Sequence, residues 1–219
     1  MKNNNFALVS DFDGTISKKD FFSYAQENIL SEQDMLPWED YKGRKISHVE
    51  ALHRIFSKIR IPENKLIELI STIEVDESFL TVVDYCLVKD IKVFVVSAGA
   101  DFYINHVLKR FSLLDKVELI TNRSSYSQEE GLCLFPFGES HPLYDSDLGV
   151  SKKKFVQNLQ SKGNKVIFAG DGRPDIEAAS VADVVFAKDY LINLCEKNDI
   201  CYNFLGSFDD ILLFLKNSE

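Results

Sequence analysis

The chain is expected to fold as a doubly wound α/β protein, a parallel sheet covered on both faces, with a helical cap inserted after strand 1. Three observations predict it. Short apolar runs end repeatedly on polar or glycine signals. Helix-like segments separate those runs from about residue 78 onward. One long interval after the first run carries helical patterns and few β signals.

The first run, FALVS, leads into Asp11. KVFVVS ends at Ser97-Ala98-Gly99, KVIFAG at Asp171-Gly172, and VVFA at Lys188-Asp189, while VELITN and CYNF are weaker candidates. Runs apolar at both alternating positions have no solvent face and belong in a sheet buried on both sides. Among the helices, Asp101–Arg110 opens on a good N-cap residue and ends basic. Ser151–Lys162 has Ser151 as cap and Gly163 as stop. Pro174–Val181 starts with proline, which suits a first helical position, and Asp189–Lys197 and Phe208–Lys216 complete the set. A Rossmann-like core is thus expected from residues 1–15 and 78–219. Residues 16–77 form the helical cap domain, with IPENKLIELISTIE its clearest amphipathic piece. A second excursion, residues 123–149, contains GLCLFPFG and is expected to be a hairpin or long loop.

The 219 residues suit one domain carrying a large insertion, or two small ones. Hydrophobic residues make up 45% and charged residues 27%, a soluble globular balance. A net charge of −9 repels nucleic acid and anionic membranes, so neither is expected as a partner. An anionic substrate must then be captured by local donors or a metal. No run reaches the roughly 18 apolar residues that span a bilayer, and MKNNNFALVSDFDG lacks a signal-peptide layout. Cys86, Cys133, Cys195 and Cys201 form no C-x-x-C pair and no zinc-like spacing. They read as small hydrophobes of a reduced, cytoplasmic protein. Either a monomer or a homodimer fits.

In open α/β sheets, ligands bind at the carboxyl ends of the strands. There the sequence gathers Asp11-Phe12-Asp13-Gly14-Thr15, Ser97, the lysines 152–154, and Asp171 with Asp175. Crowded carboxylates repel and raise each other's pKa values. A hard divalent cation relieves this, and Mg2+ takes one or two carboxylates plus substrate phosphate and waters. An ionised aspartate is then a competent nucleophile toward phosphorus. A second carboxylate two residues on protonates the leaving alkoxide and later activates water. A lysine and a serine hydroxyl hold the phosphate oxygens.

Singly, each signal is bland. Asp-Gly after a strand is an ordinary turn, and consecutive lysines make a solvated helix face. Their occurrence in order, each after an apolar run, favours catalysis. Asp101 reads as an N-cap. His48 and His53, five apart, diverge around a helix and share no metal; His106 and His141 are isolated. Trp38 serves either the cap core or a pocket wall. Tyr41-Lys42-Gly43-Arg44-Lys45 is the concentrated basic patch of the cap, a solvated surface by default, with Arg44 or Lys45 candidates to meet a substrate carboxylate or hydroxyl. Phe135 and Phe137 either shield the site or anchor the hairpin.

Together DFDGT, VVSAG, a downstream lysine opening a helix, and GDGRPD resemble the four motifs of the haloacid-dehalogenase-like (HAD) hydrolase superfamily, over nearly the whole chain. Within it the chain is similar to the phosphoserine-phosphatase-like branch, whose helical cap lies between the first two motifs. SAGADF, the aromatic hairpin and FAKDYLINLC resemble the methylthiopentenyl-1-phosphate phosphatases of methionine salvage, although GESHPLYDSDLGVS stands where those enzymes carry cysteines near the lysine.

The resemblance implies a HAD-like core and a magnesium-dependent phosphomonoesterase that acts on a small phosphorylated metabolite through an aspartyl-phosphate. It implies Asp11 as nucleophile, Asp13 as general acid/base, Ser97 as phosphate-binding hydroxyl and Lys152 as the motif lysine. Val156, four residues after Lys152, takes the apolar position that follows the motif lysine. Gly14, Thr15, Ala98 and Gly99 would surround the phosphate. Mg2+ would be held by Asp11, the main-chain carbonyl of Asp13, and Asp171, with Asp175 holding metal-bound water or a nearby backbone group. A phosphotransferase would use the same intermediate. A phospho-acceptor domain of the receiver type is disfavoured, because that fold has no room for a helical insertion after strand 1.

Overall fold

The strand Phe6–Ser10 (β1) lies at the centre of the sheet, and all five of its residues are buried. In the computed structural model, which describes residues 5–218, β1 is parallel to both its neighbours, Lys92–Ala100 (β2) and Lys165–Gly170 (β5). Leu8 sits opposite Val93 on one side and Ile167 on the other. Phe6 and Leu8 enter one hydrophobic cluster and Ala7 and Val9 the other, so the run needs no polar alternation. Residues 1–4 of the expected core segment, and Glu219, lie outside the described residues.

Among the described residues the sheet has seven strands, in the order β4-β3-β2-β1-β5-β6-β7. The others are Glu118–Ser127 (β3), Gly131–Phe135 (β4), Val184–Ala187 (β6) and Asn203–Phe204 (β7). All pair in parallel except β4, which is antiparallel to β3. Chain order moves outward from β1 through β2 and β3, then jumps back to β5. That reversal opens a crevice at the carboxyl ends of β1, β2 and β5.

The interval after β1 contains helices Phe21–Asn28 (α1), Leu36–Lys42 (α2), His48–Phe56 (α3) and Glu63–Ser71 (α4), before Ser78–Val88 (α5) returns to the sheet. Local signals start them. Asp20 accepts from Ser23 N to cap α1, Ser47 accepts from Glu50 N to cap α3, and proline stands in the first turn of α2. The chain leaves and re-enters through one isolated antiparallel bridge, Ser17 to Val75, flanked by Lys18 N–Glu74 O and Asp76 N–Ile16 O hydrogen bonds. The excursion after β3 is a hairpin, β3–β4, followed by a loop. It meets α3 twice: Leu134 N donates to His53 Nδ1, and Asp147 accepts His48 N on its carboxylate and Val49 N on its carbonyl.

The remaining helices are Asp101–Arg110 (α6), Lys152–Ser161 (α7), Ile176–Ala179 (α8), Asp189–Lys197 (α9) and Phe208–Asn217 (α10). Several expectations need correction. The segment expected as one helix from Pro174 to Val181 is a 3-10 turn, Arg173–Asp175, followed by the four-residue α8. The cause is Asp175, whose carboxylate turns back to accept Asp171 N and Gly172 N and tightens the first turn. Asp101 is the first helical residue of α6 and not its cap, because β2 runs without a loop into the helix and leaves Ala100 at the cap position. Its carboxylate instead accepts the Ser124 hydroxyl. VELITN extends into the ten-residue β3 and the hairpin adds β4, which makes KVIFAG the fifth strand. Phe135 is exposed and Phe137 stacks on His141; both belong to the hairpin and its loop, and neither lines the cavity described below.

Candidate active site

Asp11 directly follows β1. Its amide donates to Ala169 O at 2.9 Å, prolonging the β1–β5 pairing by one residue and fixing the side chain over the crevice. Its Oδ1 accepts Phe12 N at 2.7 Å. The chain then turns tightly, with the amides of Thr15, Ile16 and Ser17 all donating to Phe12 O. Gly14 makes the turn possible. Its φ is +75°, and a Cβ there would lie 2.5 Å from Asp171 Oδ2. Thr15 donates its hydroxyl to Asp171 Oδ1 at 2.6 Å, so the ends of β1 and β5 are joined by side chains.

Lys152 opens α7, which Ser151 caps by accepting Lys154 N. Only 2% exposed, it extends its ammonium to 2.7 Å from Asp11 Oδ2 and 2.6 Å from Asp175 Oδ1. Lys154 instead reaches outward to Tyr144 O. The helix thus turns one of the three lysines into the site.

Asp13 receives three donors. Phe21 N, at the start of α1, donates to Oδ1 at 2.9 Å. The Ser97 hydroxyl lies 3.4 Å from Oδ2, and the hydroxyl of Tyr103 donates to the same oxygen. Gly99 permits this approach, since a Cβ there would overlap the Tyr103 hydroxyl and lie 2.9 Å from Asp13 Oδ2. Gly99 N also donates to Ser97 Oγ at 2.9 Å.

Asp11, Asp171 and Asp175 each offer one oxygen, all within 4.8 Å of one another. Three carboxylates therefore face one ammonium in a nearly dry site. Burial, then Asp175, raises the Asp11 pKa well above the carboxylate range, although Lys152 opposes the rise. Burial and Asp175 push Asp171 up to about 7, and burial pushes Asp13 up to about 6. Burial works against the charge on Lys152, but Asp11 and Asp175 outweigh it and hold that pKa above its ordinary value. An excess of negative oxygens at this spacing fits a hard cation. Asp175 is also committed elsewhere: one oxygen takes Lys152 and the other takes the amides of Asp171 and Gly172.

A cavity of about 180 Å³ stands over these groups. Asp11, Asp13, Ser97, Ala98 and Asp171 form its floor, and Phe22, Trp38, His48, Leu52 and Phe56 its roof.

No family model matches the chain. A curated 2-hydroxy-3-keto-5-methylthiopentenyl-1-phosphate phosphatase of Bacillus cereus (strain AH187) is 30% identical over 219 residues, spanning 96% of this chain and 95% of its own. The protein of the same name from Bacillus thuringiensis (strain Al Hakam) matches with the same identity and coverage. Among solved structures, a HAD family hydrolase of Salmonella enterica serovar Typhi superposes with a TM-score of 0.72 at 16% identity, over 95% of this chain and 70% of that one. A phosphoserine phosphatase solved as a phospho-aspartyl intermediate analogue gives 0.69 at 18% identity, over 96% and 99%. At 30% identity over nearly its whole length, the chain belongs to the family of these 2-hydroxy-3-keto-5-methylthiopentenyl-1-phosphate phosphatases, on a fold it shares with the HAD family hydrolase and the phosphoserine phosphatase.

The chain is a phosphatase. The fold brings two hydrogen-bonded groups to one cavity, Asp11, Thr15, Lys152, Asp171 and Asp175 on one side and Asp13, Ser97 and Gly99 on the other, with Gly14 packed against Asp171. Arg44 stands apart. It is exposed in the turn after α2, at a φ of 58°, and does not line the cavity, while Lys45 pairs with Asp40. Sequence reasoning missed Tyr103 and His48 of this phosphatase site. For Tyr103 a signal existed: one helical turn after Gly99, on a helix that starts directly from the strand, a side chain can face back over the strand end.

Proposed function

We propose that this phosphatase is a magnesium-dependent phosphomonoesterase that works through an aspartyl-phosphate on Asp11. The observation that carries the reading is the triangle of buried Asp11, half-buried Asp171 and buried Asp175 against a single Lys152. Asp11, Asp171 and the main-chain carbonyl of Asp13 would hold Mg2+, with Asp175 fixing the loop and the lysine around them. Bound there, the cation would offset the carboxylate repulsion and the charge of the phosphate.

In this reading Asp11 attacks phosphorus and the ester P–O bond breaks, its electron pair passing to the leaving oxygen. Asp13, with a pKa near 6, gives that oxygen its proton. Water then attacks the phosphorus of the aspartyl-phosphate while Asp13 takes back a proton. The Asp11–phosphorus bond breaks, releasing inorganic phosphate and restoring both carboxyl groups. Lys152 and Ser97 hold the non-bridging oxygens, alongside the backbone of Ala98 and Gly99. Helices α1–α4 serve as the cap, excluding bulk water over a cavity sized for a small phosphorylated metabolite. The four free cysteines, with Cys86 and Cys195 buried, suit a cytoplasmic setting.

The test is phosphate release from a generic monoester with Mg2+ and with EDTA. Asp11→Asn and Asp13→Asn should each abolish it. Full activity in both variants would refute the assignment. Acceptor-dependent transfer of the phosphoryl group to an alcohol would identify a phosphotransferase instead.

A further inference from the structure

Tyr103 grips Asp13 from within the core, yet the steps above give it no part. It lies on α6, which starts directly from β2, and is 1% exposed. Its hydroxyl donates to Asp13 Oδ2. The ring has no room to turn away. It stacks on Phe21, with centroids 4.3 Å and planes 14° apart, and packs on Phe12 at 6.2 Å. Gly99 leaves the space through which the hydroxyl reaches, and Gly99 is itself pinned, its carbonyl accepting the Thr121 hydroxyl at 3.0 Å.

Such a grip meets a definite need. An aspartate carboxyl turns about a broad torsion, whereas a proton donor must lie within hydrogen-bond reach of its target in a fixed pose. Phe21 N holds Asp13 Oδ1 at 2.9 Å, which fixes one oxygen. At 3.4 Å from Oδ2, the Ser97 hydroxyl is a long contact. Tyr103 supplies the firm hold on that second oxygen, and one donor on each oxygen sets the plane of the carboxyl. A phenol carries a single hydrogen. Here it goes to Asp13, and none is left for the substrate.

We propose that Tyr103 is a positioning residue for the general acid, holding the Asp13 carboxyl at the angle that delivers a proton to the leaving oxygen. This rests on the phosphomonoesterase reading. The loss of Tyr103 should then be felt according to the leaving group. A departing alkoxide is a strong base and needs the proton in the transition state; a departing nitrophenolate is a weak base and leaves without it. Tyr103 itself touches neither phosphorus nor the ester.

The experiment measures kcat/KM, with Mg2+, for wild type and Tyr103→Phe on pentyl phosphate, phenyl phosphate and p-nitrophenyl phosphate. This parameter ends at the first irreversible step, departure of the leaving group, so the later attack of water does not enter it. Tyr103→Phe keeps the ring and its stacking and removes only the hydroxyl. Variant is compared with wild type ester by ester, so differences in fit cancel. The variant should lose about tenfold on pentyl phosphate, the order of one hydrogen bond, and less than about twofold on p-nitrophenyl phosphate. Across the series kcat/KM should therefore fall more steeply with leaving-group basicity than in wild type. A merely structural role, or a loss of folded protein, scales every ester by one factor and keeps the wild-type slope. An unchanged slope overturns the proposal and leaves the phosphomonoesterase reading intact. If wild type releases phosphate from no ester, that reading fails, and this proposal with it.

Discussion

Tyr103 donates its hydroxyl hydrogen to Asp13 Oδ2 through a gap that a side chain at position 99 would close. The tyrosine is itself locked, stacked on Phe21 with ring centroids 4.3 Å apart, so it cannot simply retreat. Gly99→Ala should therefore displace Asp13 and lower kcat by about 100-fold, the order expected when a catalytic group moves by an ångström. The double variant Gly99→Ala/Tyr103→Phe, which removes the colliding oxygen, should recover part of the loss. Equal kcat in the two variants would count against steric transmission through Tyr103.

Lys152 should be the lysine that matters among residues 152–154. Lys152→Ala strands Asp11 and Asp175 without their buried counter-charge, which costs about 3–5 kcal/mol of stability. It should also abolish phosphate release. Lys153→Ala and Lys154→Ala alter partly or fully exposed side chains and should stay within about 0.5 kcal/mol of wild type. Urea titration and a phosphate-release assay on the three variants check this.

Binding of Mg2+ should stabilise the protein, by about 2.7 kcal/mol at a concentration 100 times the dissociation constant. Asp171→Asn should lose most of that gain. In EDTA the same variant should melt no lower than wild type, since it removes one of three mutually repelling carboxylates and keeps an acceptor for Thr15. Melting curves with and without Mg2+ give the comparison.

His48 should tie stability to pH. Burial lowers its pKa from 6.5 unfolded to about 4 in the folded protein, with Lys152 and Arg173 pushing the same way and Asp147 opposing them. Between those values the unfolded chain binds a proton that the folded chain refuses. This contribution is fully present above pH 6.5 and is lost as the pH falls toward 4. Wild type should thus lose more stability across that window than His48→Gln. The raised carboxylates Asp13 and Asp171 act in the opposite direction but are common to both proteins.

What the sequence reveals here is chemistry that sits close to a strand end. Asp11, Asp13 and Asp171 are legible because each follows a fully apolar run, and position in an α/β sheet does the rest. Lys152 is singled out from its two neighbours by the resemblance, and Val156, in the apolar place that follows the motif lysine, is indeed buried. Tyr103 and His48 are legible only in part or not at all, because their partners are brought by folding. Asp147, which fixes His48, is 99 residues away, and Tyr103 acts across 90. Arg44 misleads for the opposite reason: a basic cluster contiguous in sequence is, in space, an exposed turn. Pro174 misleads because the tertiary demand on Asp175 overrides a normal helix start.

The hydrogen bond from Phe21 N to Asp13 Oδ1 makes the roof and the proposed proton donor mechanically one piece. Phe21 is the first residue of α1, so any swing of that helix away from the sheet would draw the amide off the carboxylate. The acid would then be correctly aimed only with the lid shut over a bound ester. On the proposed mechanism, an enzyme wired in this way would be idle while ajar and would protonate its leaving group only once closed.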